Sequence, residues 1–351
     1  MSDVIILGIE TSCDDTSLCL LKKTNGSVEI LAFESFSQEA LLKEWGGVVP
    51  EIASRYHNEK IIPLLKFVLQ KAQIDIHQIQ LIAVTSLPGL LGPLLTGLNI
   101  AKTLSLYLEV PIYPVNHLKA HLEAIHLTNK IPYPYLGLLV SGGHSLFVIV
   151  NSPNDFDVLG STTDDAAGEA FDKGAKLLGL GYPGGKIIDE YAKQGNESTF
   201  SFPIGLPHSQ DANLSYSGVK TALRNFIEKN PDVKMAPPTQ MLFDVCASYQ
   251  KSIVEALVLK SKFAFNEAKK RLNLTKIPLV IGGGVACNSY LRKRFQEQYS
   301  EVYFVSPQYC TDNGAMIANL ASLDLDHSIP FPDCLSLDAE SRWINKKEFL
   351  T

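Results

Sequence analysis

Two stretches of this 351-residue chain repeat one pattern, and that repeat limits its fold more than any other feature. Leu7-Gly8-Ile9-Glu10-Thr11-Ser12-Cys13-Asp14-Asp15-Thr16-Ser17-Leu18-Cys19-Leu20 reads as strand, polar turn and strand. Leu136 to Val150, turning at Ser141-Gly142-Gly143-His144, reads the same way. A third strand-like run follows each hairpin (Glu29 to Ser35; Phe156 to Ser161), and then come helices alternating with short buried strands. The pattern predicts a duplicated α/β domain with mixed sheets. The first domain is placed at 1–130, the second at 131–308, with 309–351 a C-terminal segment returning to the first. Hairpin turns present backbone N–H groups, so two of them facing across an interdomain cleft would hold a nucleotide's phosphates; an ordinary pair of β-turns reads identically.

Composition bounds what such a fold serves. With 46% apolar residues the chain can bury a large core. Its one long apolar run, Leu87 to Leu106, is interrupted by Pro88, Gly89, Gly92, Pro93 and Gly97, which predicts a buried loop and helix and no membrane span. Met1-Ser2-Asp3 leads directly into the strand Val4 to Ile9 without a basic or Arg-rich leader, so a cytoplasmic address is expected. Six scattered cysteines without C-x-x-C spacing predict free thiols, of which Cys287 and Cys310 sit in glycine-rich or polar loops where oxidation would matter. The net charge of −6 means that any nucleic acid must be met by a local basic patch. Lys269-Lys270-Arg271 and Arg292-Lys293-Arg294 are candidates, although short clusters of this kind usually form solvated helix faces.

The run Asn116-His117-Leu118-Lys119-Ala120-His121 places two imidazoles four residues apart, on one face of a helix, where both can grip one metal ion. Ile112 to Val115 reads as a buried strand and Asn116 as the helix N-cap, so both histidines lie at a strand's carboxyl end, where open α/β sheets bind ligands. Asp312, between the strand-like run Val302 to Val305 and an apolar helical pattern, is the candidate third ligand, although an isolated Asp before a helix is more often its cap. Two histidines and one carboxylate suit Zn or Fe and leave positions open for a substrate.

Three further loops are rich in glycine: Gly282-Gly283-Gly284-Val285-Ala286-Cys287-Asn288, Gly181-Tyr182-Pro183-Gly184-Gly185-Lys186 followed by Asp189, and Ser86 to Gly92. The first lets backbone approach a ligand closely, and adenosine is expected on that surface. None fits G-x-x-x-x-G-K-[ST] or G-x-G-x-x-G, which argues against a P-loop NTPase or a Rossmann dehydrogenase.

Together these residues resemble the actin, sugar-kinase and heat-shock ATPase superfamily (ribonuclease H-like domains), and in detail its tRNA N6-adenosine threonylcarbamoyltransferase branch, bacterial TsaD. The matching runs are Gly8 to Thr16, Gly46 to Arg55, Asn116 to His121, Val140 to His144, Ala170-Phe171-Asp172-Lys173, Tyr182 to Gly185, Tyr216-Ser217-Gly218-Val219-Lys220-Thr221, Gly282 to Asn288 and Cys310 to Ala318. They span residues 7 to 318 in family order. Leu87-Pro88-Gly89-Leu90 and Gly92-Pro93 depart from the family's usual Gly-Pro-Gly-Leu and Gly-Ser, and Asp15 stands where it usually has Glu.

The resemblance implies transfer of threonylcarbamoyl from threonylcarbamoyl-AMP to N6 of adenosine 37 in tRNAs reading ANN codons. It implies one divalent ion, Fe2+ with Zn2+ as the alternative, on His117, His121 and Asp312. Donor contacts would run through Leu139, Val140, Ser141, Gly142 and Gly143, with Asp172, Gly185 and Asp189 on the ribose side and Asn288 near the adenine. Glu10 and Asp14 are the candidate proton acceptors. Implied partners are a degenerate TsaB-like paralogue and a small TsaE-like P-loop ATPase; the apolar helical stretch Glu51 to Lys71 offers a docking surface, and a helix buried on two sides reads equally well. Competing readings are weaker. A kinase needs an acidic residue at its phosphate hairpins, which Ser141-Gly142-Gly143 lacks. A His-Glu-x-x-His peptidase needs Glu where Leu118 stands. A non-catalytic scaffold would not need the histidine pair.

Overall fold

The structure, a computed structural model, describes residues 3–38, 48–234 and 237–342. Gly46 and Gly47, and the last nine residues of the C-terminal segment, lie outside them. The chain forms two compact units: one from the residues up to Leu127 together with those from Asp312 onward, the other from Thr128–Thr311.

In the first unit β1 (Val4–Glu10) and β2 (Asp15–Thr24) form the hairpin, and β3 (Ser27–Ser37) extends it antiparallel. β4 (Leu81–Leu87) and β5 (Ile112–Asn116) add in parallel, giving the order β3-β2-β1-β4-β5. Alternation along β1 splits its side chains between two faces. Ile5, Leu7 and Ile9 join a core with Ile61, Leu65 and Val68 of α1 (Pro50–Ala72) and Leu98 and Ala101 of α2 (Leu91–Leu108). Ile6, Gly8 and Glu10 face the opposite way. There Gly8 is required by packing: a Cβ on it would sit 2.2 Å from the carbonyl oxygen of Gly314. The two glycines let β1 and the buried helix α10 (Gly314–Leu323) meet backbone to backbone. α3 (His117–Glu123) follows β5 directly, capped by the Asn116 side chain, which accepts from Leu118 N (2.9 Å) and Lys119 N (3.2 Å). The apolar run Leu87 to Leu106 is the end of β4, a turn and most of α2, and no helix among the described residues is long and apolar enough to cross a membrane.

The second unit repeats the plan. β6 (Tyr135–Val140), β7 (Ser145–Ser152) and β8 (Asp155–Ser161) are antiparallel neighbours, while β9 (Leu279–Gly282) and β10 (Val302–Phe304) add in parallel, in the order β10-β9-β6-β7-β8. Its helices are α4 (Ala167–Leu178), α5 (Gly184–Ala192), α6 (Ser217–Lys229), the 33-residue α7 (Gln240–Leu272), α8 (Ser289–Gln298) and the short α9 (Pro307–Cys310). α7 packs on β6 to β8 and against α5 and α8, and α4 packs against both α5 and α6.

Candidate metal centre and adjoining loops

At the carboxyl ends of β1, β4 and β5 the first unit brings together Glu10, His117, His121 and Asp312. The helical spacing sets the two imidazoles edge to face, with Nε2 atoms 3.1 Å apart. Asp312 Oδ1 lies 3.0 Å from His121 Nε2 and 3.3 Å from His117 Nε2. Asp312 is not the cap of α10. That work is done by Asn313, whose side chain accepts from Met316 N at 2.9 Å, leaving the preceding carboxylate turned toward the imidazoles. His121 is 1% exposed at its side chain, His117 10% and Asp312 23%, so the carboxylate forms the open rim of the cluster.

These three residues fit a metal ion. Nitrogen and oxygen ligands sit about 2.0–2.2 Å from such an ion, which separates neighbouring ligand atoms by roughly 3.0–3.5 Å. The observed triangle has edges of 3.0, 3.1 and 3.3 Å. Two ring nitrogens facing each other at 3.1 Å cannot both present a proton, so the arrangement is one that a shared cation satisfies.

Glu10 lies behind this cluster and is fully buried. Its Oε1 accepts from Ser12 N (2.5 Å), and its Oε2 accepts from Thr85 Oγ1 (2.5 Å) and faces His117 Nδ1 at 3.0 Å. Burial alone would raise the Glu10 pKa, but the His117 charge and hydrogen bond hold it below the ordinary value. Asp312 is held well below the carboxylate range in the same way: burial opposes ionisation, and His117 and then His121 overcome it. Burial would lower His117, yet the charges of Asp312 and Glu10 lift it well above the usual imidazole value. His121 is pushed down by burial and by the charge on His117.

Asp14 sits in the β1–β2 turn, where its carbonyl accepts from Gln38 N. That turn is held by His57 of α1, whose Nε2 meets the Cys13 carbonyl at 3.0 Å and whose Nδ1 meets Thr16 Oγ1 at 2.7 Å. Nothing in the sequence assigns these roles to His57, Ser12 or Thr85. The nearest signal for His57 is its place two residues beyond the matching run that ends at Arg55.

In the second unit the residues expected near a nucleotide fall into two groups. Leu139 and Val140 are wholly buried side chains, so only their backbone can meet a ligand, whereas Gly142 and Gly143 of the following turn are exposed and Ser141 is half-buried. Gly283, at φ 91°, packs where a Cβ would come within 2.4 Å of the Val140 carbonyl, which ties the glycine-rich loop to this turn. Asp172 accepts from Gly184 N at 2.8 Å, beside Gly185. Asp189 accepts from Ser289 Oγ (2.7 Å), and Asn288 caps α8 through Leu291 N (2.9 Å) while donating to Gln250 Oε1 (2.6 Å). Thus Asp172, Asp189 and Asn288 each hold a loop in place. Cys287 is exposed beside buried Cys310, and all six cysteines are free.

The duplicated mixed sheet, with two histidines and a carboxylate clustered at strand ends, defines an actin-like ATPase fold carrying a candidate metal centre. Two solved structures share that fold at low identity: component A of (R)-2-hydroxyglutaryl-CoA dehydratase from Acidaminococcus fermentans (TM-score 0.50, 17% identity, 90% of this chain and 96% of that one) and full-length HypF in its phosphate- and nucleotide-bound form (0.54, 16%, 91% and 46%). Residues 29–319 match the family described as TsaD, tRNA N6-adenosine threonylcarbamoyltransferase. Relatives of that name include proteins of Trichlorobacter lovleyi (42% identical, 97% of this chain and 96% of the relative), Treponema denticola (43%, 97% and 98%) and Thermosipho africanus (46%, 90% and 92%). The chain belongs to the tRNA N6-adenosine threonylcarbamoyltransferase family. It is a transferase that modifies tRNA, and its family implies a metal ion.

Proposed function

We propose that the chain transfers the threonylcarbamoyl group of threonylcarbamoyl-AMP to N6 of adenosine 37 in tRNAs reading ANN codons. The observation that carries this reading is the triangle of His117, His121 and Asp312 with Glu10 buried behind it. Those three residues would hold one divalent ion, Fe2+ by family likeness with Zn2+ the alternative. When bound, such an ion supplies Lewis acidity and orientation at the donor's oxygens.

The rest of the chemistry belongs to side chains and backbone. The adenine amine forms a C–N bond to the carbamoyl carbon, the C–O bond to AMP breaks, and the amine loses a proton. Asp14, in the half-buried turn, is the acceptor favoured by its exposure. Glu10 is assigned a different part from the proton acceptor expected of it: enclosed by Ser12, Thr85 and His117, it fixes the His117 ring and keeps Nε2 turned to the ligand position. The exposed Gly142 and Gly143 backbone would receive donor oxygens. Asp172, Gly185, Asp189 and Asn288 would shape the nucleoside pocket largely by fixing loops. An adenine in a single-stranded loop can be reached without melting a duplex.

The same reading assigns a cytoplasmic setting, a TsaB-like paralogue docking on α1, whose Ile62 and Phe67 are 41% and 48% exposed, and a TsaE-like ATPase. The test is reconstitution with threonylcarbamoyl-AMP, unmodified tRNA and these partners, followed by nucleoside mass spectrometry. Threonylcarbamoyladenosine with wild type and none with His117→Ala supports the proposal. Equal product from both contradicts the assigned metal position.

A further inference from the structure

Two of the matched sequence runs carry lysines that the reaction above does not use, Lys173 and Lys220. In the second unit they meet. α4 and α6 pack side by side, and between them lies a cavity of about 280 Å³ lined by Lys173, Lys176, Leu177, Lys220, Thr221 and Arg224. The spacings i,i+3 on α4 and i,i+4 on α6 turn each pair of cations to one side of its helix. Asp165 is the anchor beneath, pairing Lys173 at 2.7 Å and also Lys220; Glu169 pairs Lys173 at 2.6 Å. Four cations stand against these two carboxylates and the exposed Glu228, which leaves one net positive charge, on Lys176. Lys176 has no ion pair among the described residues, and Arg224 meets only the exposed Glu228, at 4.0 Å.

In the other basic clusters the arginines are engaged, while Lys270 and Lys293 have no ion pair among the described residues. Arg271 pairs with Glu267 (2.7 Å), Arg294 with Glu255 (2.5 Å) and Glu297 (2.8 Å), and Arg292 donates to the carbonyls of Ala286 and Val305. In a chain of net charge −6, a polyanion needs a place where positive charge is concave and unspent.

We infer that the α4–α6 groove is a phosphate-binding site for the tRNA backbone, with Lys176 and Arg224 as the contacting cations and Lys173 and Lys220 set by Asp165. This rests on tRNA being the substrate. It gives α4 two tasks, since Asp172, assigned above to the donor's loop, lies on the same helix.

The test compares the full-length protein with its Lys176→Gln/Arg224→Gln variant, both residues being exposed and outside the proposed transfer machinery. Binding of labelled unmodified tRNA is measured across a salt series, together with kcat and KM for tRNA in the reconstituted reaction. The groove predicts about tenfold weaker tRNA binding at low salt, a log–log salt slope shallower by about 1–2, and a raised KM with kcat retained. Wild-type affinity and slope in a folded variant overturn the inference while leaving the tRNA reading intact. No tRNA binding by wild type with any partner overturns both. Loss of inorganic phosphate binding alone, with tRNA binding unchanged, also overturns it by making the groove a small-anion site.

Discussion

His117 and Glu10 show how one side chain's chemistry is set by another 107 residues away. The paired histidines were legible because four residues on a helix is a short-range relation. The role of Glu10 was not, because nothing local to the β1–β2 turn reveals that His117 comes to stand at its end. Glu10→Gln keeps the shape but removes the charge facing Nδ1, so metal affinity should fall about 10- to 100-fold with folding intact. Competition against a chromophoric chelator measures this, and unchanged affinity would remove Glu10 from the site. Cys287 offers a second residue-scale expectation. A hydrogen bond from Cys310 and the Arg292 charge, acting against burial, bring its thiol down to about 7. Burial pushes Cys246 up to about 12 and Cys19 higher still. Since the thiolate is the nucleophile, iodoacetamide should label Cys287 first, with a rate that climbs through pH 7 and levels off above it. A midpoint near the ordinary value of about 8.5 would contradict that environment.

Among the elements, strands were the most readable, since alternation and apolar runs report burial directly. The capping of α10 was harder: Asp312 and Asn313 both suit an N-cap, and only the side-chain directions separate the candidate ligand from the cap. Packing between elements was harder still. Gly8 reads as a weak spot in a strand until Gly314 is seen against it. Gly8→Ala should force β1 and α10 apart and cost about 1–3 kcal/mol in urea unfolding, with metal affinity falling as well because Asp312 leads into that helix. A variant as stable as wild type would show that the contact has room to give. The groove between α4 and α6 is illegible in the sequence for a related reason. Its cations come from segments more than forty residues apart, whereas Lys269 to Arg271, which look like a cluster, lie along one helix where Glu267 answers Arg271.

At the scale of the whole chain, the duplication was legible because each half carries its own hairpin and third strand, and the structure repeats one strand order in both units. The family match over residues 29–319 agrees with motifs scattered from Gly8 to Ala318. Less legible was the division of labour within the expected nucleotide loops. Asp172, Asp189 and Asn288 are polar residues in glycine-rich surroundings, and the sequence does not distinguish a ligand contact from a loop clasp. The central claim is that His117, His121 and Asp312 form one ion site on which transfer depends. Its most direct test is metal content by mass spectrometry on the purified full-length protein and on Asp312→Ala, each assayed for threonylcarbamoyladenosine before chelation, after it, and after the ion is restored. The account predicts about one ion per wild-type chain, product that disappears with the ion and returns with it, and neither ion nor product for Asp312→Ala. Undiminished product from ion-free wild type, or a full complement of ion in Asp312→Ala, would contradict it.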